Sequence, residues 1–123
     1  MTPMARPVTT PKAEGIAGLE EALADLAQAR ATITYGALAA RLGVTGPGRI
    51  ARLAEALEAL MTEDAAKGRP LRAALVVSRL AGDLPAQGFF QHATALELLP
   101  PDADPTTARA FHRQQLERLW QEG

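Results

Sequence analysis

The run ITYGALAARLG, Ile33 to Gly43, decides the fold that this sequence predicts. The stretch from Ala31 to Thr34 is short and partly β-branched, which favours a brief strand. Thr34 can then cap a helix that runs to Leu42, because a threonine oxygen can accept a bond from a free amide of the first turn. Gly43 suits the left-handed residue that follows many helices. The run therefore predicts a short strand that leads directly into a helix.

A turn and two longer helices flank this run. The segment GVTGPG, Gly43–Gly48, contains three glycines and a proline, which interrupt helices. One helix is predicted from about Ile16 to Ala29, and another from near Gly48 to a point before Gly68. Both have apolar residues at the spacing of an amphipathic helix. In the second helix this stripe consists of Ile50, Leu53, Leu57 and Leu60.

The remainder of the chain alternates apolar runs with breakers. LRAALVVSR, Leu71–Arg79, is predicted as a strand, and Ala81–Gly88 as a hairpin-like loop or wing. A short helix is expected after Phe90. After the breaker PPDADP, Asp104 can cap a last helix with Pro105 at its first position. These elements predict an α+β chain, mostly helical, with a winged-helix-like core and a C-terminal helix.

The length of 123 residues fits one domain. We expect a flexible N-terminal arm at residues 1–13, the winged-helix-like domain at 14–100, and a hinge with the C-terminal helix at 101–123. That last helix either packs back on the domain or joins its twin in a homodimer.

The composition excludes several classes of protein. The absence of cysteine removes disulfides, thiolate zinc sites and a thiol nucleophile, and it fits a cytoplasmic location. No run of apolar residues is long enough for a transmembrane helix, and the N-terminus does not resemble a signal peptide. The excess of arginine over lysine, with much alanine, is typical of GC-rich bacterial genomes.

No pattern of catalytic or metal-binding residues is evident. Ser78 lacks the flanking glycines of a nucleophile elbow. His92 and His112 lack the spacing of a metal motif, and His112 is predicted to lie on the surface. We therefore expect neither an enzyme nor a cofactor or metal site.

Charge is unevenly distributed along a chain whose net charge is −1. Residues 41–79 carry seven basic and four acidic side chains, whereas residues 80–123 carry three basic and six acidic ones. The middle of the chain could therefore attract phosphate although the whole chain is almost neutral.

The middle of the chain resembles the C-terminal domain of O6-alkylguanine-DNA alkyltransferases and alkyltransferase-like proteins. The matching residues are Thr34–Ala39, which read TYGALA, and Gly46–Leu53, which read GPGRIARL. The resemblance covers roughly residues 31–90. It implies a helix-turn-helix in which Tyr35 lies by the DNA backbone near a flipped nucleotide, and in which Arg49 fills the vacated base stack.

The chain departs from this family where the family carries its chemistry. The proline-cysteine-histidine-arginine stretch of the transferases is replaced by Pro70-Leu71-Arg72-Ala73. Without a cysteine there is no alkyl acceptor, so transferase activity is excluded. The histidine and arginine that alkyltransferase-like proteins retain are also missing.

Two functions remain open from the sequence. The first is a small non-enzymatic bacterial DNA-binding protein, in which Arg52 faces solvent with Glu55 as its alternative ion-pair partner. Its contacts would come from Tyr35, Arg41, Gly46, Gly48, Arg49 and Arg52. The second is a protein-interaction module without a nucleic-acid role. Its contacts would come from Phe89, Phe90, Phe111 and Trp120.

Overall fold

The computed structural model describes residues 16–122 and shows a mostly helical chain with one small sheet, which confirms the α+β class. The predicted arm at residues 1–13 lies outside the described residues. The elements in chain order are α1 (Leu19–Ala29), β1 (Ile33–Thr34), α2 (Tyr35–Arg41), α3 (Arg49–Ala66), β2 (Val76–Val77), α4 (Gln87–Ala95) and α5 (Pro105–Glu122). Two short 3-10 segments, Arg72–Leu75 and Arg79–Ala81, flank β2.

The helix starts and stops around α2 follow the local sequence. The Ala37 amide donates to Thr34 Oγ1 over 3.2 Å, so Thr34 is the predicted N-cap. Gly43 has a φ of +73° just after the helix, as a C-terminal glycine should. Helix α1 begins three residues later than predicted, because Gly18 has a φ of +83°, which is incompatible with a helix.

Helix α3 buries a face that differs from the predicted leucine stripe. Leu53, Leu57 and Met61 are buried, whereas Ile50 is 38% exposed. The residue that continues the buried face one turn after Met61 is Asp64, whose exposure is 0%. An aspartate near the end of a helix usually faces solvent, so the sequence pattern does not predict that Asp64 is buried.

The sheet consists of two parallel pairs, Ile33 with Val76 and Thr34 with Val77. The predicted strand Leu71–Arg79 is therefore too long, because its first part is a 3-10 segment. The amides of Leu71 and Arg72 donate to the side chains of Gln115 and Asp64, over 2.9 and 3.0 Å. Side chains thus satisfy backbone donors that a longer strand would have directed to a neighbouring strand.

The hairpin-like loop or wing predicted at Ala81–Gly88 does not keep those bounds, because Gln87 and Gly88 belong to the next helix. The structure has a tight turn at residues 78–84, closed by an antiparallel bridge between Ser78 and Leu84. Helix α4 begins directly after it at Gln87 and includes Phe90, so it starts earlier than predicted. The early start buries Phe89, which is 4% exposed, in the core.

Helix α5 packs against α1 and the 3-10 segment Arg72–Leu75. Asp104 caps it, since its Oδ1 accepts the Thr107 amide over 2.8 Å. The prediction that His112 lies on the surface is wrong, because this residue is 4% exposed. Its Nε2 lies 2.9 Å from the carbonyl oxygen of Ala74, so the imidazole is the hydrogen-bond partner of that buried oxygen.

An ion cluster joins α1, α3 and the segment after α3. We define it as Glu20, Glu63, Asp64, Arg69 and Arg72. The Arg72 Nε lies 3.0 Å from Asp64 Oδ2, and its Nη2 lies 3.0 Å from Asp64 Oδ1. Arg72 also contacts Glu20 over 3.0 Å and Glu63 over 2.9 Å, and Arg69 contacts Asp64 over 3.2 Å.

Within the cluster, the pKa values of Arg72 and Glu63 are both shifted in favour of the charged forms. Burial alone would lower the pKa of the Arg72 guanidinium, but its hydrogen bonds to carboxylates, with Asp64 foremost, raise that pKa above the ordinary value. The hydrogen bond from Arg72 lowers the pKa of the exposed Glu63 carboxyl. Asp64 therefore lies buried beside a permanent positive charge, which offsets the cost of removing its carboxylate from water.

Replacing Asp64 by asparagine should strongly destabilise the fold. The substitution keeps the shape but leaves the buried part of Arg72 without its main counter-charge, which typically costs about 3–5 kcal/mol. Urea unfolding monitored by circular dichroism measures this free energy. Glu55→Gln, at an exposed position of the same helix, is the matched control, and an equal effect of the two substitutions would refute the structural role of Asp64.

Acid should destabilise the fold through His112. Burial lowers the pKa of its imidazole below the ordinary 6.5, so the folded chain binds this proton less readily than the unfolded chain. The stability that the fold gains by keeping His112 neutral is complete above pH 6.5 and declines as the pH falls below that value.

Unfolding free energies between pH 7 and 5 should therefore decrease in the parent chain and remain flatter in His112→Gln. The chain has only two histidines, so His92→Gln is the natural control and should keep the parent slope. If His112→Gln retained the full slope, another group would be responsible.

Candidate nucleic-acid interface

The three arginines predicted to contact DNA lie around the turn between α2 and α3. Arg41 ends α2, whereas Arg49 and Arg52 lie in the first turn of α3, and all three are exposed. The Arg41 Nη2 lies 3.3 Å from Asp25 Oδ2 of α1. Since both side chains are solvated, this ion pair is weak, but it reduces the positive charge that Arg41 presents.

Arg52 is held by the turn rather than by an acid. Its Nη2 donates to the carbonyl oxygen of Thr45 over 2.6 Å. The alternative pairing with Glu55 does not form, because the turn folds back and brings a carbonyl oxygen within reach. Arg49 makes no side-chain hydrogen bond or ion pair with any residue between 16 and 122. These two guanidiniums are therefore not neutralised by carboxylates of the described chain.

The glycine turn leaves the start of α3 open. Gly46 and Gly48 have φ values of +86° and +76°, a backbone conformation that glycine adopts without strain. Gly48 is the N-cap and contributes no side-chain bond. The amides of Ile50 and Ala51 consequently have no acceptor within the helix, and they add partial positive charge where Arg49 begins the helix.

Of the other basic residues in the middle segment, Lys67, Arg69 and Arg72 do not extend this positive surface. Arg69 and Arg72 belong to the ion cluster, and Lys67 Nζ lies 3.7 Å from Glu63 Oε2. The charge excess of residues 41–79 is thus divided between a neutralised internal group and a small exposed group. Arg79, on the 78–84 turn, is a further exposed arginine without an ion pair in the described chain.

Tyr35 is half-buried at the start of α2. Its hydroxyl oxygen accepts the amide of Ala86 over 3.1 Å. Burial raises the pKa of the phenol above its ordinary value, and Glu58 nearby adds to the effect. The ring borders a cavity of about 30 Å³ with Leu57, Met61 and Phe89. A cavity of that size holds roughly one water molecule and cannot receive a nucleobase.

The four residues predicted as a partner-binding surface lie in or against the core. Phe89 is buried, and Phe90, Phe111 and Trp120 are half-buried. The rings of Phe89 and Phe90 form an edge-to-face pair with centroids 5.2 Å apart. These aromatic side chains thus pack largely against other residues of this chain, which leaves little of their surface for a partner.

A threonine, a histidine and a glutamate meet where α3 and α4 pack, which the sequence did not reveal. Thr62 Oγ1 lies 2.9 Å from His92 Nε2, and His92 Nδ1 lies 3.9 Å from Glu58 Oε1. The Thr62 hydroxyl also contacts the Glu58 carbonyl oxygen within its own helix over 3.2 Å, and its side chain is exposed. The arrangement links the two helices. Among residues 16–122, no group of three acidic, histidine or cysteine side chains could hold a metal.

Comparison with protein-family models, curated proteins and solved structures found no match to this chain. The resemblance to alkyltransferases therefore has only the residues of this sequence to support it. Within the part of the chain that the structure describes, no helix combines the length and apolar character needed to cross a membrane.

The buried environment of Tyr35 should be visible in a pH titration. The chain has one tyrosine, so the ultraviolet absorbance of phenolate reports on this residue alone. We expect a midpoint above 10.0 in the folded chain, because burial disfavours the charged phenolate. In urea the same titration should return to about 10. A folded-state midpoint at or below that of the unfolded chain would contradict the buried position.

Proposed function

We propose that this chain is a small non-enzymatic DNA-binding protein of the winged-helix type. The order of its elements supports the proposal: a helix, a strand, two helices separated by a turn, a second strand and a tight turn. In that assignment α3 is the recognition helix and the 78–84 turn is the wing. The absence of cysteine excludes alkyl transfer.

The observation that carries the proposal is the exposed pair Arg49 and Arg52 at the open start of α3. Neither guanidinium meets a carboxylate among residues 16–122, although the rest of the middle segment is rich in ion pairs. A helix start with free amides and two cations is suited to a phosphate of the DNA backbone. Arg49, whose guanidinium has no partner within the described residues, is the side chain able to reach a base edge.

The arrangement favours weak binding without base extrusion. Three exposed arginines, Arg49, Arg52 and Arg79, are available for phosphate, and the net charge of −1 gives no general attraction to DNA. The hydroxyl of Tyr35 is occupied by Ala86, and the cavity beneath it is too small for a base. We therefore propose placement on phosphate with modest reading of bases, rather than the nucleotide flipping that the resemblance implies.

The double variant Arg49→Ala/Arg52→Ala should bind duplex DNA more weakly at low salt. Each phosphate contact contributes about 0.9 to the slope of log affinity against log salt, so this slope should decrease by about two. Fluorescence anisotropy with a labelled duplex, between about 50 and 200 mM salt, measures both quantities.

Arg109→Ala/Arg113→Ala is the matched control. These arginines are exposed on α5, four residues apart. Replacing them by alanine removes the same charge from the chain as the α3 double variant does. An unchanged affinity and slope in the α3 variant, or an equal change in the α5 variant, would remove the assignment of α3 as the DNA-contacting element.

A further inference from the structure

The 78–84 turn presents a leucine entirely to solvent. Leu80 is 101% exposed, so its side chain is not covered by any other part of residues 16–122. Isolated exposed leucines are common on proteins, but they usually rest partly on neighbours, as Ile50 and Leu98 do with exposures of 38% and 41%. Leu80 differs in that its whole side chain projects from a turn.

The backbone that carries Leu80 is closely hydrogen bonded. Ser78 donates its amide to the carbonyl oxygen of Leu84 over 2.7 Å, and its own carbonyl oxygen accepts the amides of Ala81 and Asp83 over 3.1 and 3.0 Å. At the base of the turn, Pro85 is buried. Leu80 is therefore held in place by a formed turn, and inserting it into a partner would require little further ordering of the backbone.

The turn emerges beside α3. Because β1 and β2 are parallel, their carboxyl ends lie at the same end of the sheet. The chain continues from β1 into α2 and from β2 into the turn. The Ala86 amide just beyond the turn bonds to Tyr35, and both residues border the cavity that α3 closes with Leu57. The base of the turn thus lies beside the middle of α3, the helix that we assign to DNA.

We propose that Leu80 is an apolar wedge that inserts between base pairs of the duplex bound by α3. Leucine is one of the side chains that enter base steps from the minor groove and bend the DNA. Its neighbour Arg79 is exposed and has no ion pair within residues 16–122, so it can contact the adjacent phosphate. This inference rests on the proposed function and adds a second, apolar contact to it.

The test compares Leu80→Ala with Leu98→Ala, the same substitution at another exposed leucine. Duplexes carry 2-aminopurine at successive positions to report unstacking, and a pair of end labels to report bending by energy transfer. We expect the parent chain and Leu98→Ala to raise 2-aminopurine fluorescence and to bend the duplex. Leu80→Ala should lose both signals and bind about tenfold more weakly, because the variant has no leucine side chain to transfer from water into the base step. The parent chain and Leu80→Ala should unfold at the same temperature, since the side chain of Leu80 is fully exposed in the described part of the chain.

The outcomes separate this inference from the proposed function. If the salt titration supports α3 but Leu80→Ala unstacks and bends DNA as Leu98→Ala does, the wedge is refuted and DNA binding stands. If the parent chain binds no duplex, both proposals fail. If Leu80→Ala instead abolishes binding to anionic lipid vesicles without any change on DNA, the leucine contacts membranes and the wedge is likewise refuted.

Discussion

The buried contact between Asp64 and Arg72 is the interaction on which the rest of the fold depends. It joins the end of α3 to the segment that follows, because both the guanidinium and the backbone amide of Arg72 bond to the carboxylate. Through Glu20 the same arginine reaches α1. The position of Arg72 sets where β2 begins, and β2 sets where the 78–84 turn leaves the sheet. A charge pair inside the domain thus helps to position the surface turn that follows it.

The same interaction divides the basic residues into two groups with different roles. Arg69 and Arg72 neutralise carboxylates that the fold has taken from water, so they stabilise structure and add little external field. Arg49 and Arg52 lie at the other end of α3, where the glycine turn provides a carbonyl oxygen but no acid. The C-terminal end of α3 is therefore fixed by the ion cluster, whereas its N-terminal end presents exposed arginines without acidic partners among the described residues. Counting charges along the sequence cannot make this distinction.

The sequence predicted the features that depend on near neighbours. Thr34 and Asp104 cap helices because each side chain meets an amide three residues away, and Gly43 ends α2 because only its own backbone is involved. Two of the errors concern residues whose partners are remote. His112 lies near the surface by sequence pattern but contacts Ala74, 38 residues away. The strand predicted over Leu71–Arg79 is too long, because the Leu71 amide bonds to the side chain of Gln115, 44 residues away. Among the candidate site residues, the exposure of Arg52 could be predicted, whereas its hydrogen-bond partner Thr45 could not.

The parallel pairing of β1 with β2 has a consequence for how the chain reaches this structure. Ile33 and Thr34 cannot meet Val76 and Val77 until α2, α3 and the segment between them have folded back across the core. Closing so long a loop for only two residue pairs is entropically unfavourable on its own, whereas the helices form from contacts close in sequence. We therefore expect the sheet to form late in folding, so that the turn that follows it acquires its orientation only when the helical part has assembled.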